Sequence, residues 1–166
     1  MNTVIVKVNT PGLIAQVATI AENVWHEYYS SLLPTGQINY MVDKFQSVKA
    51  IDHQVKNEGY RYYLLQAGGE YAGYFAIKPG SDKLFLSKFY ILQQYRGKGV
   101  SSAGFVFMEQ TARNENLKSI WLTVNKGNDN SIAVYNHKGF KTVREQVADI
   151  GSGYVMDDYI MEKQLV

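Results

Sequence analysis

The residues Phe89-Tyr90-Ile91-Leu92-Gln93-Gln94-Tyr95-Arg96-Gly97-Lys98-Gly99-Val100-Ser101 join an apolar, aromatic run to a turn with two glycines and two cations. The run Leu84 to Leu92 predicts a strand, and the helical spacing of Phe105, Met108 and Ala112 predicts a helix from about Lys98 to Asn114. A strand that enters a helix through such a turn exposes backbone N–H groups that have no intrahelical partner. They sit at the positive end of the helix dipole and form an anion site. Gly97 and Gly99 allow positive φ and close approach of a phosphate, while Arg96 and Lys98 add charge. From this stretch alone, an ordinary glycine turn with two solvated cations explains the residues equally well. A P-loop does not, because that motif places Ser or Thr after its lysine and here Lys98 is followed by Gly99.

The elements around this turn follow from pattern. Thr3 to Val8 reads as a strand, and Thr10-Pro11 opens a helix with Thr10 as N-cap and Pro11 at the first position. Ile14, Val17, Ala18, Ala21, Val24, Trp25 and Tyr28 give that helix one buried face, ending near Ser30. A second helix carries Ile38, Met41, Val42 and Phe45, and a further helical piece Val48, Ile51 and Val55. Tyr60 to Ala67 and Tyr71 to Ile77 are strands joined by the hairpin signal Gly68-Gly69. After the central strand and helix, Ser119 to Val124 is a strand, Asn130 to His137 a short helix, and Phe140 to Val147 and Tyr154 to Met161 the last strands. Strand-helix-strand alternation in the second half predicts parallel pairing there, and the meander before it antiparallel pairing. The expectation is a mixed-sheet α/β fold in a single domain across 1–166.

Composition narrows the function. The 166 residues include no cysteine, which excludes disulfides, thiolate metal sites and a cysteine nucleophile. No stretch approaches the ~20 apolar residues of a membrane span, and Met1 to Val8 is too short for a signal peptide, so a cytoplasmic protein without a membrane partner is expected. The 17 Lys+Arg against 15 Asp+Glu leave +2, which argues against bulk binding to nucleic acid. That total hides a division: residues 81–145 carry +5 and residues 146–166 carry −3. His26, His53 and His137 are dispersed without metal-ligand spacing, so no metal is expected.

A second constellation, Val124-Asn125-Lys126-Gly127-Asn128-Asp129-Asn130-Ser131-Ile132-Ala133-Val134-Tyr135-Asn136-His137-Lys138-Gly139-Phe140, follows about thirty residues after the first. Together the two resemble the GCN5-related N-acetyltransferase (GNAT) superfamily. The first family motif, Arg/Gln-x-x-Gly-x-Gly/Ala, matches Arg96, Gly99 and, with a departure, Ser101. The second, Asn before an apolar helix that ends in Tyr and then Gly-Phe, matches Asn128, Tyr135, Gly139 and Phe140. The order of elements is also the family's, so the resemblance spans nearly the whole chain. The opening helix and the long second motif are similar to the bacterial spermidine/spermine-type group.

The resemblance implies a mostly antiparallel central sheet with parallel, splayed central strands and helices on both faces. It implies acetyl-CoA as co-substrate, bound by the strand backbone at Tyr90, Ile91 and Leu92, by the amides of Arg96, Gly97, Lys98, Gly99, Val100 and Ser101 around the pyrophosphate, and by Asn128 along the pantetheine arm. Tyr135 becomes the general acid for the leaving thiolate, and an amide N–H of the splayed strand stabilises the oxyanion. Without cysteine, the acetyl group passes by direct attack of an amine. Ser87 stands where several relatives place a glutamate base, so Glu22 and Glu27 on the first helix become candidates, Glu27 foremost. Asp157 and Asp158 point to opposite faces of the last strand, so at most one faces the acceptor. The expected partner is a small-molecule amine such as a polyamine. A protein N-terminus or lysine is the alternative acceptor, and a CoA-binding sensor without turnover the rival class; the resemblance also raises a homodimer.

Overall fold

The computed structural model describes residues 2–165; Met1 and Val166 of the domain read across 1–166 lie outside it. In chain order the elements are β1 (Thr3–Lys7), α1 (Pro11–Tyr29), α2 (Thr35–Gln46), α3 (Val48–Asn57), β2 (Arg61–Ala67), β3 (Glu70–Pro79), β4 (Lys83–Ile91), α4 (Val100–Asn114), β5 (Ser119–Asn125), α5 (Asp129–His137), β6 (Lys141–Gly151) and β7 (Tyr154–Gln164). Thr10 caps α1 through its side chain, which accepts the Leu13 N–H at 3.2 Å, and Pro11 opens the helix as its sequence position demands. The buried face of α1 adds Ile20 and Tyr29 to the expected set, while Ala18 and Tyr28 are only partly buried. Gly68 and Gly69 take φ of +61° and +81°, the geometry of a tight hairpin turn.

The strands form one seven-stranded sheet in the order β1-β2-β3-β4-β5-β7-β6. Only β4 and β5 pair in parallel; every other neighbouring pair is antiparallel. The second-half alternation therefore yields parallel pairing once, across the α4 crossover. β5 and β6 are not neighbours, because β7 hairpins back from β6 and inserts between them.

Each face of the sheet has its own core. On one, α4 lays Phe105, Met108 and Ala112 on Phe75, Phe89 and Leu122. Rings stack across it, Phe75 on Phe89 at 5.7 Å and Phe89 on Phe105 at 4.8 Å. On the other, α1, α2 and α3 bury Val17, Trp25, Ile38, Met41 and Ile51 against Leu64, Tyr74 and Tyr90.

A buried polar chain locks the second face. Trp25 Nε1 donates to Tyr74 Oη at 3.1 Å, Tyr74 donates to Gln46 Oε1, Gln46 Nε2 donates to Tyr62 Oη at 3.0 Å, and Tyr62 donates to Gln54 Oε1 at 2.6 Å. Gln46 is fully buried and links β2 and β3 to the helices. Replacing Gln46 with Leu should lower stability by about 2 kcal/mol, since the Tyr74 hydroxyl proton loses its acceptor inside the core. Urea denaturation checks this, and an unchanged midpoint would mean the network contributes nothing net.

Candidate active site

The parallel pair is short. β4 and β5 pair only from Lys83↔Ser119 to Leu86↔Leu122, although β4 continues to Ile91 and β5 to Asn125. The separation begins at a bulge: Ala76 opposes Lys88 and Ile77 opposes Leu86, leaving Ser87 as the extra residue. Above it a gap opens between the strands. Side chains of Tyr28, Tyr29, Tyr90, Thr123 and Tyr135 line this gap.

Strand alternation decides which backbone groups face the gap. Leu92 N–H donates to Ala72 O at 2.8 Å, so Leu92 and, two residues back, Tyr90 turn their peptide groups toward β3. Ile91 and Phe89 turn theirs toward the gap. Of the three strand residues expected to offer backbone groups, only Ile91 has this orientation, and its N–H finds the Tyr28 hydroxyl at a long 3.5 Å. Phe89 joins it, a residue that motif matching passed over.

A cleft of about 740 Å³ runs from Phe89 and Ile91 along the turn to the N-terminus of α4 and the facing α5. Gly97 and Gly99 have φ of +73° and +78°, and Gly99 is the N-cap, so α4 begins at Val100 rather than Lys98. No side chain caps this helix, and a Cβ built on either glycine would meet nothing within 4 Å. The first-turn N–H groups therefore open into the cleft, which is the donor set a pyrophosphate needs. Gly97, Gly99, Val100 and Ser101 line the cleft; Lys98 does not. Lys138 does, with Nζ donating to Ser102 Oγ at 3.0 Å, and it supplies a cation that motif matching did not single out.

Arg96 lines the cleft with its side chain already engaged. Nε donates to Ile91 O at 2.9 Å, an NH2 group pairs with Glu27 at 3.0 Å, and the guanidinium stacks 4.4 Å from the Tyr28 ring centroid. Glu27 also accepts the Gln93 N–H at 3.3 Å. The two residues together clamp the β4–α4 turn onto the end of α1. Glu22 lies on the exposed side of α1, 3.9 Å from His26.

Asn128 caps α5, its Oδ1 accepting Ser131 N–H at 3.3 Å, and lines the cleft. Tyr135 lines both cleft and gap, its ring held edge-on by Phe105 at 6.1 Å and Phe140 at 5.7 Å. Burial raises its phenol well above the ordinary tyrosine range. Nearby, Tyr29 and Tyr90 share a hydrogen bond of 3.1 Å, and burial pushes Tyr29 up to about 12.

Three charged groups lie on β4 and β7, with Asp157 and Asp158 on opposite faces of β7. Lys88 donates to Ser87 Oγ at 2.6 Å, and burial pushes its ammonium down to about 8. Asp157 is exposed and pairs with Lys126 at 2.9 Å. Asp158 is 6% exposed, and its Oδ1 has no hydrogen-bond partner among the described residues. Among those residues no group of three His, Cys, Asp or Glu is placed to hold a metal, and no helix is long and apolar enough to cross a membrane.

The profile of the acetyltransferase (GNAT) family matches residues 22–140, which include both motifs and the gap. The chain belongs to that family. As a GNAT protein it is an acetyl-CoA-dependent N-acetyltransferase. An uncharacterized N-acetyltransferase in the pepI 3′ region of Lactobacillus delbrueckii subsp. lactis is 24% identical over 121 residues, 68% of this chain and 69% of that one. The crystal structure of the PaiA N-acetyltransferase from Thermoplasma acidophilum in complex with coenzyme A is similar in fold, with a TM-score of 0.82 at 18% identity over 99% of both chains. The ribosomal-protein-S18-alanine N-acetyltransferase of Escherichia coli has a TM-score of 0.72 at 17% identity, over 99% of this chain and 94% of that one. The expected GNAT sheet, with its parallel central pair and helices on both faces, is the sheet observed.

Proposed function

We propose that the chain, as one acetyltransferase domain across 1–166, acetylates a primary amine of a small molecule, with polyamines the foremost class, by direct attack. The observation that carries this reading is the gap between β4 and β5, which shares Phe89, Asn128 and Tyr135 with the cleft and is lined by Tyr29 and Tyr90 of the core on the face under α1 and α2. The β6–β7 hairpin is tied across that face: Gln37 Nε2 donates to Val155 O at 2.9 Å, Tyr40 Oη to Ile150 O at 2.9 Å and Lys44 Nζ to Ile150 O at 2.6 Å. So walled, the acceptor side suits a slim amine better than a folded protein segment.

Acetyl-CoA supplies an activated acetyl thioester. Around it the N–H groups at the start of α4 and Lys138 would bind the pyrophosphate, and the Ile91 and Phe89 peptide groups the pantetheine amides and the thioester oxygen. Asn128 spends Oδ1 on its helix cap and offers Nδ2 to the arm. Tyr135 holds the proton destined for sulfur. Arg96 and Glu27 act on the site through the backbone: Arg96 fixes the Ile91 carbonyl and Glu27 fixes Arg96. Replacing Glu27 with Gln should therefore leave the pH-rate profile unchanged and shift stability by less than about 1 kcal/mol, as for a part-exposed ion pair. Loss of one limb of the profile would return Glu27 to the role of base.

The test is thiol release from acetyl-CoA with polyamines, amino acids and peptides, alongside thermal stability with acetyl-CoA. Turnover confined to polyamines and small amines is expected. Preference for peptides would overturn the acceptor assignment, and stabilisation by acetyl-CoA without turnover on any amine would favour a sensor.

A further inference from the structure

An ammonium has no lone pair, so the acceptor must lose a proton before it attacks, and Ser87 offers no carboxylate. Glu27 is bound to Arg96, and the Lys88 ammonium rests on Ser87. We infer that Asp158 receives the acceptor's ammonium group and takes its proton, an inference that rests on the direct-attack reading above.

Alternation along β7 sets the direction of Asp158. Tyr159 and Met161 join the core under α4, whereas Met156 packs with the core under α1 and α2; Asp158, two residues from Met156, shares its face. Its strand partner is Asn125, the last residue of β5, beyond Leu122 where pairing with β4 ends. Thr123, on the end of β5 that β4 leaves, lines the gap, and so does Tyr29 of α1, whose phenol is pushed up chiefly by burial and also by the Asp158 charge. Asp158 thus stands beside the end of β5, on the sheet face under α1 and α2.

Its chemistry fits the place. A buried carboxylate oxygen without a donor is costly to keep, and an ammonium brings three donors and a compensating charge. The nearby cation, Lys126, is already held by Asp157 at 2.9 Å and Glu145 at 3.1 Å. Burial, and then the Asp157 charge, push Asp158 up to about 6, with Lys126 opposing. A carboxylate in that range is ionised at neutral pH and a stronger base than an exposed aspartate.

Tyr135 lines the gap and packs with the core under α4, whereas Asp158 lies on the other face of the sheet, so protons move on opposite sides. Of the ammonium's three protons the amide keeps one. The first passes to Asp158, which frees the lone pair. The second leaves the nitrogen for solvent as the C–N bond forms and the C–S bond breaks. Tyr135 Oη gives its proton to sulfur and regains one from solvent; Asp158 returns its own to solvent. The balance is ammonium plus thioester to amide, thiol and one released proton.

The experiment compares wild type, Asp158→Asn and Asp157→Asn, with spermidine, 1,4-diaminobutane and ethylamine as probes. At saturating acetyl-CoA, Asp158→Asn should lower kcat/KM for the amine about 100-fold and abolish the acid limb of its pH profile, while Asp157→Asn stays within about twofold. Wild-type kcat/KM and an intact acid limb in Asp158→Asn would overturn the inference. Thermal melts with CoA bound give a second reading: the probes should stabilise wild type and not Asp158→Asn, and equal stabilisation of both would also overturn it. If no probe is used or stabilises the wild type, the inference fails as well. The melt without ligand must show Asp158→Asn at least as stable as wild type at pH 8, the difference closing toward pH 4, because a raised folded-state pKa makes stability fall as pH rises through about 6. A less stable Asp158→Asn at pH 8 would make Asp158 a structural acceptor. Failure of acetyl-CoA to stabilise any of the three proteins would instead remove the acetyltransferase reading itself.

Discussion

Replacing Tyr135 with Phe should lower kcat by about 10²- to 10³-fold while acetyl-CoA affinity moves less than about twofold, the signature of a proton needed only in the transition state. The substitution is clean because the ring is held edge-on by Phe105 and Phe140 and takes no part of that packing from its hydroxyl. Burial, which raises the phenol's pKa, also keeps the proton in place across the working pH range. The Phe variant should therefore lose rate at every pH rather than in one limb. Steady-state thiol release and thermal shifts with acetyl-CoA read the two parameters separately. An unchanged kcat would remove Tyr135 from proton transfer and leave it a wall of the gap.

Gly73→Ala should destabilise the protein by about 3 kcal/mol or more, the upper range for a contact that cannot relax. A Cβ at Gly73 would lie 2.2 Å from the Tyr90 carbonyl oxygen and 3.0 Å from Ile91 Cα, both backbone atoms of a central strand. Neither can swing away as a side-chain tip would. Ile91 is also the residue whose N–H faces the gap, so any accommodation shifts the group proposed to meet the thioester. Displacements near 1 Å at such a group cost on the order of 100-fold in rate. Gly12→Ala is the control: its Cβ would meet nothing within 4 Å, and stability should stay equal or rise by about 0.5 kcal/mol. Chemical denaturation and activity on the same samples check both; a Gly73→Ala protein with the wild-type midpoint would show that β3 and β4 can separate without loss.

The glycines of the turn show why part of the site was readable. Gly97 and Gly99 must accept positive φ for a strand to enter a helix there, and that demand is local. The hairpin at Gly68-Gly69 and the cap at Thr10 are local in the same sense. Ser87 is different. As a letter it records only that no glutamate is present, and its place in a bulge depends on the register between β3 and β4. The splay is likewise invisible in the run Leu84 to Leu92, since side chains alternate in the same way whether or not a strand edge has a neighbour.

Arg96 and Asp158 mark the boundary most clearly. Arg96 reads as a cation for phosphate because its chain neighbours form an anion-binding turn. Its partner Glu27, 69 residues away, comes beside it only when α1 packs over β4, and the ion pair then outcompetes that local reading. For Asp157 and Asp158, strand alternation alone requires opposite faces. Which face is buried, and which carboxylate keeps an unpartnered oxygen, follows from β7 inserting beside β5. Types, spacing and local turns were thus determined by the sequence itself, because short-range sterics and hydrogen bonding need no distant partner. The gap, the clamp on Arg96 and the isolation of Asp158 were decided by tertiary structure, because each is a relation between segments that only the packed sheet brings together.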